Sequence, residues 1–258
     1  MPKINAVKSL GEYIEVVSHT QQQWSKDDGH DEYLYPWFRG QNSSEKPLLP
    51  GLYRRDNLSQ YEFNFRNDFK QKALPFLSDT TFAHPTSSWD WYILMQHYGL
   101  PTRLLDWSEG SLIALYFALF YKREDDESNP CVWMLNPFEL NRKTLQRADI
   151  FIHSEEVLRP YMDGIDDSTL MPQYPAALQP SFNSKRIVVQ KGCFTVHGYD
   201  RTPLERIAGL DASLRKIEIL YEKSELIKAD LVLGGITETV LFPELGSLST
   251  EILGYYSE

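Results

Sequence analysis

The chain has 258 residues, 42% hydrophobic and 24% charged, enough for a full core and too ordinary for disorder, collagen or coiled coil. Its net charge of −10 excludes a protein that coats nucleic acid through bulk charge and leaves open only a local basic groove. Two cysteines, six scattered histidines, no apolar N-terminal signal and no apolar run beyond Ser111–Tyr121 exclude a disulfide framework, a zinc site and a membrane span; reduced thiols and a cytoplasmic location are the expectation.

In chain order, residues 5–25 carry Val7, Leu10, Tyr13, Ile14 and Val17 at helical spacing and read as a lead helix. Asp27–Glu32 reads as an acidic loop, and Tyr33–Arg39 as an aromatic strand ending at Gly40. Residues 56–77 read as a helix with Leu58, Tyr61, Phe65 and Phe69 on one face. Residues 86–98 read as another, capped by Thr86 or Ser87. A turn at Gly99–Pro101 leads to an extended Thr102–Trp107, an apolar helix Ser111–Tyr121, a charged tip Lys122–Asn129 and a buried strand Cys131–Leu135.

Residues 136–183 hold five prolines and read as a helix near Lys143–Ala148 plus loops. Strands follow at Arg186–Gln190, Cys193–His197 and Lys216–Leu220. Helices follow at 204–209 and Ser224–Leu233, and Leu245–Leu253 closes the chain. The elements show no regular βαβ repeat, so the fold class is α+β in a single domain, 1–258. Within it, residues 1–32 form the lead segment and 136–183 a loop-rich insertion.

The chain has no G-x-G-x-x-G, Walker A or G-x-S-x-G motif, so it lacks the devices of a Rossmann oxidoreductase, a P-loop enzyme and an α/β-hydrolase. Cys193 and His197 share a strand face, but about 13 Å apart, so Cys193 reads as core rather than nucleophile. Polar chemistry concentrates in two places. Trp37-Phe38-Arg39-Gly40-Gln41 is either a surface arginine beside a turn or an anion clamp, with Gly40 admitting a ligand to the backbone. Gln96–Ser108 is either a helix start capped by Ser108 or Asp106, with an Arg103–Asp106 ion pair, or a phosphate site beside Arg103.

Together the segments resemble the FRG domain family, named for its Phe/Tyr-Arg-Gly motif. The residues carrying the resemblance are Phe38-Arg39-Gly40-Gln41, Gln96-His97-Tyr98-Gly99, Pro101–Trp107, Ala114–Ala118, Arg186…Gln190-x-Gly192-x-Phe194 and Leu241-Phe242-Pro243-x-Leu245. A more distant resemblance is to ADP-ribosyltransferases. Those enzymes have an aromatic-Arg-Gly strand, a serine-bearing strand feeding an A-x-x-F-A helix, and a glutamate strand followed by Gly-x-x-Phe-x-Val. Here Phe38-Arg39-Gly40, Asp106-Trp107-Ser108 with Leu115–Ala118, and Arg186 to Val196 follow that order. Arg186 falls where many of these enzymes carry their catalytic glutamate, so either Asp106, Gln190 or Glu238 supplies that role, or the chain is an atypical transferase or a binding module.

The resemblance implies a split mixed sheet flanked by helices and an NAD-dependent ADP-ribosyltransferase needing no metal. It would be a toxin or phage-defence effector that modifies a macromolecule, RNA rather than protein, with an antitoxin covering its cleft. Arg39, Asp106 and Gln190 are then the catalytic set. Gly40, Gln41, Tyr98, Thr102, Arg103, Ser108 and Arg186 join Arg39 in binding NAD: Tyr98 stacks on nicotinamide, and Thr102 or Ser108 orients the ribose. Arg39, Arg103, Arg186 and Lys191, with Trp37, Tyr98 and Trp107, would hold the RNA. The alternatives are a non-catalytic module for a nucleotide or modified nucleic acid, and an interaction protein whose arginines are structural.

Overall fold

The computed structural model describes residues 6–27, 35–55, 57–79, 84–121, 127–180, 185–254 and 256. The expected acidic loop lies almost wholly outside them, as does most of the charged tip. The elements are α1 (Leu10–Asp27), β1 (Trp37–Gln41), α2 (Glu62–Ala73), α3 (Ser88–His97), β2 (Leu104–Ser108) and α4 (Ser111–Phe120). Then come β3 (Cys131–Leu135), α5 (Pro137–Leu145), β4 (Phe151–Ile152), α6 (Arg159–Asp166), β5 (Ala176–Gln179) and α7 (Lys185–Val189). β6 (Gly192–Val196), β7 (Leu214–Glu218), α8 (Ser224–Leu233), α9 (Glu238–Leu241) and α10 (Leu245–Gly254) complete the chain.

The seven strands form one mixed sheet in the order β4-β5-β6-β2-β1-β3-β7, flanked by helices. All neighbours are antiparallel except β4 and β5. The pairing is uneven. β1 makes five register pairs with β3, and β2 makes five with β6, yet β1 and β2 share only Phe38↔Ser108. The centre of the sheet therefore opens like a fork, and the apolar packing divides there. Phe38 packs with α4, α1 and α8 in one cluster, while Leu104 and Phe194 pack with α3 and α6 in a second. On the other face Trp37, Leu105, Trp107, Trp133 and Cys193 build a third.

Local chemistry explains most element ends. Ser87 caps α3 through a reciprocal box with Asp90, and Asn136 caps α5 by accepting from the Glu139 N–H, with Pro137 in the first turn. Gly99, at φ 84°, turns the chain from α3 toward β2 in a conformation that side chains resist.

Several expected elements differ. The lead helix starts at Leu10 rather than residue 5. Val7 instead bridges Ile219 at the sheet edge, and Ile14 is exposed. α2 packs Phe65 and Phe69 against the second cluster as expected, but Tyr61 is exposed and Glu62 and Arg66 are buried, so its inner face is mixed rather than purely aromatic. Residues 136–183 hold α5, β4, α6 and β5, and the helix there ends at Leu145, before Ala148. The expected strand Arg186–Gln190 is the five-residue helix α7. Residues 204–209 form only a short 3-10 turn at Leu204–Arg206. No helix among the described residues is long and apolar enough to cross a membrane.

Candidate functional site

The fork between β1 and β2 holds a cleft of about 430 Å³, within the size range of small-molecule sites. Its position follows from the pleat. Phe38 and Ser108 are opposite partners, so Phe38 and Gly40 share a face with Ser108, Asp106 and Leu104. Asp106 lies on that face between the α4 and α3 clusters and belongs to neither. The other four residues of β2 are buried and Asp106 is exposed. A carboxylate on an otherwise buried central strand is thus held rigidly and presented to the cleft.

Arg39 sits across the gap. Its Nη1 donates to the Asp106 carbonyl at 2.7 Å and lies 3.7 Å from the Asp106 carboxylate. Its Nε is buried with no hydrogen-bond partner. Burial pulls the Arg39 pKa down to about 10, with Asp106 opposing that and Arg54 adding to it. At neutral pH the guanidinium stays charged, with a donor unspent.

The Asp106 carboxylate is oriented by a relay. The Leu104 N–H donates to Thr102 Oγ1 at 3.1 Å, so the Thr102 hydroxyl directs its own proton to Gln96 Oε1 at 2.6 Å. That fixes the Gln96 amide with Nε2 donating to Asp106 Oδ2 at 3.0 Å. Ser108 Oγ donates to the Gln190 carbonyl and accepts from the Gly110 N–H, tying the end of β2 to the far wall. Gln190 also lines the cleft, its Nε2 donating to the Leu241 carbonyl.

The fork therefore brings together Arg39, Gly40, Gln41, Asp106, Ser108 and Gln190. Other expected site residues sit elsewhere or are occupied. The Gln41 amide is spent on Trp133 Nε1 and the Pro47 carbonyl. Gly40 serves the helix rather than a ligand: an added Cβ would lie 2.0 Å from the Ala114 carbonyl oxygen and 2.6 Å from Ala118 N of α4. Thr102 is fully buried, and Tyr98 stands outside the cleft wall, edge-on to His97 at 5.0 Å.

Arg103 is the clearest correction. It is 1% exposed and pairs with Glu62 at 2.8 Å, not with Asp106. It also donates to the His197 carbonyl at 2.7 Å and to the Tyr161 carbonyl, while its backbone N–H donates to Tyr92 Oη. Burial opposes its charge, but Glu62, Tyr92 and Tyr53 together outweigh that and hold the group above its ordinary value. It is a structural clamp, not a phosphate ligand.

The α4 N-cap is Gly110, so neither Ser108 nor Asp106 caps that helix. Of the expected RNA contacts, Trp37 is fully buried, Trp107 lines the cleft but is buried with its Nε1 donating to Thr195 Oγ1, and Lys191 lies off the cleft wall. The Arg186 side chain lies outside the described residues. Glu238 is absent from the cleft wall and acts on Tyr116. Cys193 is buried and its thiol pushed up, first by burial and then by Glu109 and Asp106, so the core reading stands.

The cleft also recruits residues that were assigned no role in the sequence. Gln96 and His97 come from the end of α3, and Asn42, Lys46 and Arg54 from the chain after β1. Phe117 on α4 and Tyr121, the residue just after that helix, stack at 5.8 Å and line the wall, which Tyr98 does not. Among the described residues no group of three His, Cys, Asp or Glu could hold a metal ion.

Residues 35–127 match the family model of the FRG domain. Over that stretch, less than half of the chain, it is similar to the FRG domain. The matched stretch holds β1, α3, β2 and α4, and with them Arg39, Gln96 and Asp106. Gln190 and the Arg186-to-Phe194 and Leu241-to-Leu245 motifs lie beyond it. No curated protein and no solved structure gives a match.

Proposed function

We propose that the FRG cleft binds NAD and transfers its ADP-ribose to a macromolecule, with Asp106 as the carboxylate beside the reacting sugar. The observation that carries this reading is Asp106 itself: an exposed carboxylate on a buried strand, 3.7 Å from a partly buried arginine whose Nε is unspent. NAD asks for both charges. Its pyrophosphate needs a fixed cation, and its departing nicotinamide leaves a cationic sugar that needs an anion.

In the reaction the bond from ribose C1′ to nicotinamide breaks and its electron pair leaves with the nicotinamide, neutralising the pyridinium. Asp106 stabilises the oxocarbenium-like C1′. An acceptor nucleophile then gives its pair to C1′ and loses its proton to water. Arg39, with Lys46 behind it, suits the phosphates, and Phe117 and Tyr121 suit a flat ring. Gln96 keeps Asp106 aimed and leaves its charge intact. Because chemistry rests on positioning and electrostatics, the site needs no nucleophile of its own. A protein with this activity fits a toxin or phage-defence role, with an antitoxin as the partner that blocks the cleft.

The test is incubation with radiolabelled NAD and separated cellular RNA, DNA and protein, with free nicotinamide measured in parallel. Label transferred to one polymer, with stoichiometric nicotinamide, is the expected result. Nicotinamide never released and no polymer labelled would contradict it. A nucleotide bound without turnover would favour a binding module.

A further inference from the structure

A second cavity, of about 280 Å³, adjoins the first at the Arg39–Asp106 pair. It shares Arg39, Arg54, Gln96 and Asp106 with the first and adds Arg55, Gly51 and the Gly99–Pro101 turn. Group transfer at a sugar carbon needs this arrangement. Donor and acceptor must meet at one reacting centre from different sides, and Asp106 is a carboxylate that both cavities reach.

The charge of the second cavity contrasts with the chain around it. The protein carries −10, yet the described titratable residues on this wall are Arg39, Arg54 and Arg55 against Asp106 alone. Neither Arg54 nor Arg55 is in an ion pair among the described residues. The segment bearing them is anchored: Leu52 is fully buried and its N–H donates to the Thr102 carbonyl at 3.1 Å, at the foot of β2. Arg54 Nε donates to the Leu49 carbonyl at 2.8 Å, which fixes the direction of its side chain. Arginines outside any ion pair among the described residues, on an anchored segment, suit repeated phosphates better than the mixed charges of a protein surface.

We infer that the second cavity is the acceptor subsite and that it takes the phosphodiester backbone of a single-stranded nucleic acid, with Arg54 and Arg55 on its phosphates. This rests on the transfer reading of the first cavity. It moves the RNA contacts from Arg103, Arg186 and Lys191 to the chain after β1. Leu100 and Pro101 form the apolar part of the wall, against which a base or sugar face can lie.

The experiment is fluorescence anisotropy on the full chain without NAD, using 5′-labelled single strands of about 12 nucleotides as RNA and as DNA. The wild type is compared with Arg55→Ala and with Arg206→Ala, which removes the same charge from an exposed residue that does not line the cavity. Arg55→Ala should weaken RNA binding about fivefold at about 0.1 M salt and lower the salt slope by about 0.7, while Arg206→Ala changes neither. Stronger binding of RNA than DNA assigns the acceptor to RNA; equal binding leaves either polymer, and both outcomes support the subsite.

The inference is overturned if the wild type binds neither strand or if the two arginine variants behave alike. It is also overturned if Arg55→Ala weakens NAD binding by the same factor, which would make the two cavities one ligand's site. Label from NAD appearing on protein alone would overturn it as well. Oligonucleotide binding as expected, with NAD never turned over, would sink the transfer reading and leave the phosphate site standing.

Discussion

Arg39 and Asp106 lie 67 positions apart and meet only because the sheet forks between them. If Arg39 holds the NAD phosphates, Arg39→Ala removes charge-assisted bonds worth about 1.5–3 kcal/mol and weakens NAD binding roughly 10–150-fold by calorimetry. Arg39→Lys should rescue little. The burial that pulls the arginine down to about 10 would bring a lysine, lower to begin with, toward neutrality, and a point charge lacks the fork. Recovery to within threefold of wild type would mean Arg39 acts only as a charge. At this scale the sequence exposed the right arginine and carboxylate but paired them wrongly. Arg103 precedes Asp106 by three residues, and nothing in the string shows that Glu62, from a helix expected to be apolar on its inner face, takes it.

Helix α4 and strand β1 illustrate how an element can depend on one missing side chain. The Gly40 position leaves the backbone of α4 in direct contact with the strand that carries Arg39, and no flexible side chain is there to yield. Gly40→Ala should cost several kcal/mol and lower the melting temperature by roughly 10 °C, with NAD binding weakened in whatever remains folded. A melting temperature within about 2 °C of wild type would contradict the contact. The elements with strong periodicity or caps, α3, α4, β3 and α8, were legible in the sequence at or near their observed bounds. Those that were not share a cause. β5 is four residues between Pro175 and Pro180 and is made a strand only by its neighbours, while the β-branched run Ile187–Val189 is folded into α7 against β6. α2 was expected as a helix over 56–77, but its charged inner residues were missed because Glu62 and Arg66 look solvated until their partners Arg103 and Asp166 are known.

Across the whole molecule, the buried polar layer beneath the site links stability to pH. His197 is fully buried and its pKa is pushed down to about 3, first by burial and then by Arg103 and Arg39. The unfolded chain protonates this histidine near 6.5, so between about 6.5 and 3 it binds a proton that the folded chain refuses. Stability should therefore fall on acidification, by about 1.4 kcal/mol per pH unit from this group, or about 2 kcal/mol between pH 6.5 and 5. Urea unfolding at those two pH values checks it, and a flat profile would mean that His197 finds a proton's partner in the folded state.

The most direct measurement for the site as a whole is nicotinamide release by wild type and Asp106→Asn, with melting temperatures taken on the same samples. Asn keeps the shape and can still accept from Gln96 while losing the charge. An exposed pair such as Arg39–Asp106 contributes at most about 1 kcal/mol to stability. Release per folded molecule should fall about 10²–10³-fold while NAD affinity and melting temperature change little. An Asp106→Asn protein that melts early yet releases nicotinamide at the wild-type rate per folded molecule would make Asp106 structural and place the chemistry on another carboxylate.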